Sequence, residues 1–456
     1  LCSSMKILFL LSCVVWLCSG NGVLARGDRQ RPNVQAGCNG KGTPGPANLN
    51  PIDAAAPRFV TQVKNGKQFK VGTGDDEVDL LHVWGSPYQM GVAQAQMLGP
   101  KLTNFMKEVY LYIETQITKQ AANNTALQKI LHTGIQAALN LSYHQTKDYI
   151  MPYVMEEIQG LADGVDGNVS VVDIRNVMWL GELTRGACSM FGAWGTATPS
   201  GNLLQLRALD WDVDGPFKNY PAIVVYHPNS GNGHAWANVG FGGWMASITG
   251  MSSKSLAMSE IGVSFPDESF GPETYLAAGY PFGFIIRDVL QFDSTIDDAI
   301  NRLTGAKRTC DLILGCGDGK SNTFKGFQYS PKAAKIMDDK NQMPLEDWHP
   351  RIPDTVYWGM DWICPNDNTM LSTQLKAFHG NVTVENTIRS ITSYVTTGDL
   401  HIAIYDHANS DMYVAFARKD GAQGPLNAYQ RGFTKIDMAA LWAEQPPTWA
   451  PTPSLA

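Results

Sequence analysis

A cysteine, an arginine and an aspartate carry the chemistry most readily read from this chain. Cys188 stands in Gly186-Ala187-Cys188-Ser189-Met190-Phe191-Gly192-Ala193-Trp194-Gly195, and Leu206-Arg207-Ala208-Leu209-Asp210-Trp211 follows about twenty residues on. A thiol is a useful nucleophile as the thiolate, and a free pKa near about 8.5 leaves little of that form at neutral pH. Cutting the peptide bond between Ala187 and Cys188 would give the cysteine its own base. An α-amino group titrates at roughly 7.7–8.0 and lies within reach of the thiol it shares a residue with. Asp210 would hold and orient the new ammonium. Arg207 would favour the thiolate and grip a polar group of a substrate.

The elements that must position these residues are two strands, Met190 to Thr198 and Leu203 to Leu209, around the turn Pro199-Ser200-Gly201-Asn202. Gly186 and Ala187 are small enough for a sharp bend before the cysteine. The whole run, Cys-Ser-x-Phe-x-x-Trp-Gly, a turn, then Arg-x-Leu-Asp-Trp, resembles the N-terminal nucleophile hydrolases of the penicillin acyltransferase and acid ceramidase type. That group includes bile-salt hydrolases and the acylethanolamine acid amidase. The arginine and aspartate lie about three residues further from the cysteine than in the ceramidase branch, a difference a longer hairpin absorbs.

The resemblance implies an α+β fold, a four-layer αββα sandwich in which two antiparallel sheets stack between helix layers. It also implies self-cleavage between Ala187 and Cys188 into a helical N-terminal piece, residues 26–187, and a catalytic piece, residues 188–456. His82-Val-Trp-Gly-Ser-Pro-Tyr-Gln-Met-Gly and Glu157-Ile-Gln-Gly-Leu-Ala-Asp-Gly look like the front piece of that family. Leu256-Ala-Met-Ser-Glu260 resembles a strand that carries a glutamate in the ceramidase branch. The family's oxyanion asparagine falls near Asp361 and Asn366, so Glu260 and Asn366 join Cys188, Arg207 and Asp210 as catalytic candidates, with Asp361 a weaker one.

Composition sets the limits. Of 456 residues, 44% are hydrophobic and 17% charged, which supports a large core. The net charge of −7 and the lack of a basic run disfavour nucleic-acid binding. The histidines show no metal spacing, no Cys-x-x-Cys pair occurs, and no cofactor motif is present, so neither metal nor cofactor is expected. Lys6 followed by the apolar run Ile7 to Cys18 reads as a signal peptide over 1–25, with Met5 as start. Sequons at Asn123, Asn140, Asn168 and Asn381 fit a secreted or lysosomal glycoprotein.

Beyond the signal segment five cysteines remain, Cys38, Cys188, Cys310, Cys316 and Cys364. An odd number in an oxidising compartment suggests two disulfides and one free thiol, with Cys188 free. Pairing among the other four is open. A local Cys310–Cys316 bridge would leave Cys38 with Cys364.

Along the chain, residues 26 to 57 read as an extended or mobile leader. Val78 to Trp84 reads as a strand, and helices are expected over Tyr88–Val109, Thr125–Leu141 and Thr146–Gly160. After Cys188, strands are expected at Ala222–Tyr226, Trp236–Val239, Trp244–Thr249 and Ser255–Ser259. Helices at Pro281–Phe292 and Thr295–Leu303 follow, then strands at His401–Tyr405 and Met412–Ala417. The functional expectation is a cysteine amidohydrolase acting on a small acyl-amide or lipid substrate, with peripheral lipid contact and with the two pieces staying associated. A phospholipase B-like esterase, an acyltransferase and a non-catalytic glycosylated binding protein are the alternatives.

Overall fold

Strand segments spread along the chain gather into two sheets in the computed structural model. It describes residues 38, 42–119, 125–165, 168–183, 186–271, 277–421 and 424–448. The expected signal segment and the sequon at Asn123 lie outside these.

The first strands are β1 (Arg58–Val63), β2 (Gly66–Val71) and β3 (Val78–Gly85), and helices α1 (Pro87–Leu98), α2 (Pro100–Lys119), α3 (Thr125–Thr146), α4 (Pro152–Gly164) and α5 (Val171–Leu183) follow. Next come β4 (Ala187–Ala193), β5 (Leu204–Asp210), β6 (Pro221–Pro228), β7 (Trp236–Phe241), β8 (Thr249–Ser252) and β9 (Leu256–Gly262). Helices α6 (Phe282–Phe292) and α7 (Ile296–Gly305) precede β10 (Leu312–Asp318), β11 (Thr323–Tyr329), β12 (Ala334–Met337) and β13 (Thr355–Met360). Helix α8 (Pro365–Ala377), a helical run over 384–395, β14 (His401–Asp406) and β15 (Asp411–Phe416) lead to β18 (Thr434–Asp437) past the small hairpin β16 (Arg418–Gly421) and β17 (Gly424–Leu426).

The chain is a mixed helix and sheet protein. One sheet runs β1-β2-β3-β6-β7-β8-β9-β10-β11-β12 and the other β13-β4-β5-β14-β15-β18. All their pairs are antiparallel except β3 with β6. The sheets face each other, with β4 over β9, β10 and β11, while α6 and α7 pack on the first sheet and α8 on the second. Alternation sorts β4: Cys188 and Met190 enter the core between the sheets, and Phe191 and Ala193 enter the core under α8.

Several expected boundaries move. The strand read from Met190 starts at Ala187, so Cys188 lies within it, and Gly195–Ala197 is a 3-10 turn. The long first helix breaks at Gly99-Pro100, where Gly99 takes a positive φ of 52° and Pro100 begins α2. The Thr146–Gly160 helix starts instead at Pro152, a residue suited to a first turn. The segment expected as a strand from Trp244 becomes one at Thr249. The N-terminal piece is not purely helical, because it supplies β1, β2 and β3 to the large sheet.

The leader is pinned where it is described. Asn48 is buried and donates to the carbonyls of Tyr429 and Arg431, at 2.9 Å each. Cys38 forms a disulfide with Cys364, Cα–Cα 5.7 Å. Cys310 and Cys316 do not pair and remain buried thiols. Cys316 is inside β10 and Cys310 just before it, and six residues of extended chain separate them by about 20 Å, far beyond disulfide reach. The described residues thus hold one disulfide and three free thiols, not two and one.

Among the contacts that bind the residues before Ala187 to those after it, three matter most here. The first is the β3–β6 pairing. The second is an ion pair, Arg287 Nη2 to Glu157 Oε2 at 2.6 Å, with both side chains fully buried and Tyr153, Tyr226 and Trp236 around the guanidinium. Removing one partner of such a pair costs about 3–5 kcal/mol. The third is the disulfide. If the chain is cut before Cys188, its pieces should therefore migrate together on a non-reducing denaturing gel and separate on a reducing one. Separation without reductant would contradict this pairing.

The glycine motifs at the front of the chain have a packing cause. A Cβ on Gly91 would lie 2.4 Å from the Glu157 carbonyl oxygen, and one on Gly160 would lie 2.2 Å from that of Tyr88. Helices α1 and α4 touch backbone to backbone, which leaves no room for a side chain at either position.

Candidate active site

Three side chains reach the site because β4 and β5 pair antiparallel. Cys188 is opposite Leu209 and Ala187 opposite Asp210. Cys188 is fully buried, and its thiol is pushed up to about 12 by burial, with Arg207 pulling it partly back down. A thiol in that state is protonated at neutral pH, so its attack has to be coupled to loss of that proton.

Arg207 shares the inner face of β5 with Leu209, and its side chain is fully buried. Nη2 lies 3.3 Å from Glu260 Oε2, and Nε donates to the Ile248 carbonyl at 3.3 Å. Nη1 has no partner among the described residues. Glu260 reaches this arginine from β9, on the facing sheet. His401, opposite Leu209 on β14, sits 2.9 Å from Thr249 Oγ1. Burial and the nearby Arg207 hold its imidazole well below the usual range, so it is neutral here.

Asp210 is on the opposite face of β5 from Arg207. Its carboxylate accepts from the Thr397 hydroxyl at 2.6 Å, the Gly398 N–H at 2.7 Å and the Asp399 N–H at 3.2 Å. The Thr397 hydroxyl is also 2.7 Å from Ser189 Oγ. With one hydrogen, Thr397 donates to the carboxylate and accepts from the serine. Burial and the nearby Asp399 raise the Asp210 carboxyl well above its ordinary value, against the three hydrogen bonds. A cation formed next to it would favour the ionised carboxylate and gain it as a counter-charge.

The loop Thr396-Thr397-Gly398-Asp399 went unread in the sequence, although its Thr-Gly-Asp cluster after a helical run is a turn signal. Thr396 and Gly398 both have positive φ, 56° and 92°, and this curls the two N–H groups towards Asp210.

Asn366 does not join the site. It is exposed in the first turn of α8, on the outer side of the six-stranded sheet, with its amide beside Gly42. Asp361 accepts from the backbone N–H groups of Ser264 and Phe265, a structural use. The buried Asn368 spends its amide on Gly359 and Cys364. The sequon residues Asn140, Asn168 and Asn381 are exposed.

Beside the site lies a pocket of about 80 Å³, walled by Leu180, Gly181, Gly186, Trp211, Trp244 and Phe282 among others, with Glu260 at its edge. Its lining is almost wholly apolar.

No family model matches the chain. A solved N-acylethanolamine-hydrolyzing acid amidase ortholog of Caenorhabditis elegans overlaps 54% of this chain and 98% of its own, at 14% identity and a TM-score of 0.36. A penicillin V acylase of Agrobacterium tumefaciens overlaps 50% and 83%, at 14% identity and a TM-score of 0.33. Overlaps so slight bear on neither the fold nor the chemistry. Sequence relatives are nearer. Protein dcd1B of Dictyostelium discoideum is 30% identical over 416 residues, 87% of this chain and 81% of that protein. Protein dcd1A of the same organism is 32% identical over 434 residues, 90% of this chain and 95% of its own. Over that span and at that identity, the chain belongs to the family of the Dictyostelium proteins dcd1A and dcd1B.

Proposed function

We propose that this chain is a self-processing cysteine amidohydrolase of the N-terminal nucleophile type, with a four-layer αββα catalytic domain over 188–456 and a smaller N-terminal piece over 26–187. The observation that carries the reading is the β4–β5 register. It sets Cys188 beside Arg207 on the inner face and Ala187 directly opposite Asp210.

In the first turnover the substrate is the chain itself. The Cys188 sulfur bonds to the Ala187 carbonyl carbon. The C–N bond breaks, and the thiol proton passes to the departing nitrogen. Water then hydrolyses the thioester, which frees the thiol and leaves a carboxylate on Ala187. The new α-amine is the base that the buried thiol lacks. Asp210 holds its protonated form, and Arg207 favours the thiolate. An acyl amide then reacts by the same steps, through an acyl thioester on Cys188, and yields a carboxylic acid and an amine. No metal or cofactor enters these steps.

The exposed sequons and the Cys38–Cys364 bridge support a secreted or lysosomal glycoprotein. A linear N-acylated lipid fits the apolar cavity best, and peripheral contact with lipid would deliver it. The test is to incubate purified protein with a panel of N-acyl amines and N-acyl amino acids at mildly acidic pH and to measure acid release. Release from at least one linear acyl amide is expected. If acids are released from phospholipid or other esters but from no amide, the reading is wrong.

A further inference from the structure

We propose that Gly181 sets how far an acyl chain enters the cavity beside Cys188, so that chain-length preference is carried by the piece without the nucleophile. The proposal deepens the hydrolase reading and rests on it for the reaction.

Two features connect the cavity to the nucleophile. Gly186 lines it two residues before Cys188, and Glu260 lines it while pairing with Arg207. The cavity's space of about 80 Å³ is small against the roughly 300–1,000 Å³ that small-molecule sites span, so one more side chain in its wall is felt by whatever enters. Glu260 is its one charged wall and is committed to Arg207, so the space suits a hydrocarbon chain.

Gly181 is anomalous where it stands. It lies inside α5, and glycine is the poorest helix former apart from proline. A Cβ there would meet the Phe282 ring at 3.2 Å from both Cε1 and Cζ. That is closer than the about 3.5–4.0 Å at which carbon atoms rest. The Phe282 backbone N–H donates to Glu182 Oε1 at 2.8 Å, which anchors the residue to the end of α5. The open side of the ring is the cavity. A methyl at 181 therefore tips the ring into the space, and a longer side chain occupies the space itself. Alanine would favour the helix, so the glycine is accounted for by the room it leaves.

The test uses purified, processed protein and the variants Gly181→Ala and Gly181→Leu. Val172→Ser, on the exposed outer side of the same helix, is the control. Saturated fatty acids from butanoate to stearate serve as binding probes, followed by tryptophan fluorescence, and the matching acyl amides serve as substrates. Gly181→Leu should weaken binding of the longest chains about tenfold or more while leaving short chains unchanged, since each buried methylene contributes severalfold. Gly181→Ala should show a smaller shift in the same direction and a melting temperature no lower than wild type, which covers the case in which the leucine variant does not fold.

A profile unchanged by Gly181→Ala and Gly181→Leu, or weakened equally at every chain length, would overturn the proposal, as would wild type that binds no fatty acid. Wild type that binds chains with the predicted length dependence but hydrolyses no amide would sink the hydrolase reading and leave Gly181 in its role.

Discussion

Replacing Cys188 by serine should abolish processing and lower acyl-amide hydrolysis by on the order of a thousandfold or more, because a hydroxyl is a far weaker nucleophile than a thiol. Folding should change little. Oxygen and sulfur differ modestly in size, so no cavity opens. The variant should be recovered as one unbroken chain, with a melting temperature close to that of unprocessed wild type. Fragment pattern, melting curve and acid release read this together. A processed and active serine variant would show that another residue is the nucleophile.

Asp210→Asn should lower turnover on the order of a hundredfold, the usual contribution of a group that supports a general base. Asparagine keeps the shape, and its oxygen can still accept from Gly398 and Asp399. It loses the negative charge that would steady the α-ammonium of Cys188. Because burial already raises the Asp210 carboxyl, a neutral side chain is tolerated in the unprocessed fold, and stability should fall far less than rate. The pH profile separates the two roles. Without the carboxylate the α-amine should lose its proton more readily, so the pH at which activity rises should move down. Unchanged turnover and profile would make Asp210 structural only.

The hairpin that holds Cys188, Arg207 and Asp210 was legible because its signals are local: a small-residue approach, a Pro-Ser-Gly-Asn turn and alternating apolar residues. Glu260 came from the resemblance, and its meeting with Arg207 across two sheets has no local signal. The loop at Thr397 and Gly398 was missed for the same reason. It lies 187 residues from Asp210 and acts mainly through backbone N–H groups, which composition does not mark. Asn366 was placed by analogy with a family position, and the chain puts it on the outer side of the sheet. The parallel β3–β6 pair was also hidden, because it depends on distant segments sharing one sheet.

The most direct measurement is the N-terminal sequence of the larger fragment from purified protein after incubation at acidic pH. A fragment beginning Cys-Ser-Met-Phe, joined to its partner through Cys38 and Cys364 until reductant is added, is the predicted result. A chain that stays whole yet cleaves acyl amides, or a fully active fragment that begins elsewhere, would contradict the assignment of Cys188 as an N-terminal nucleophile.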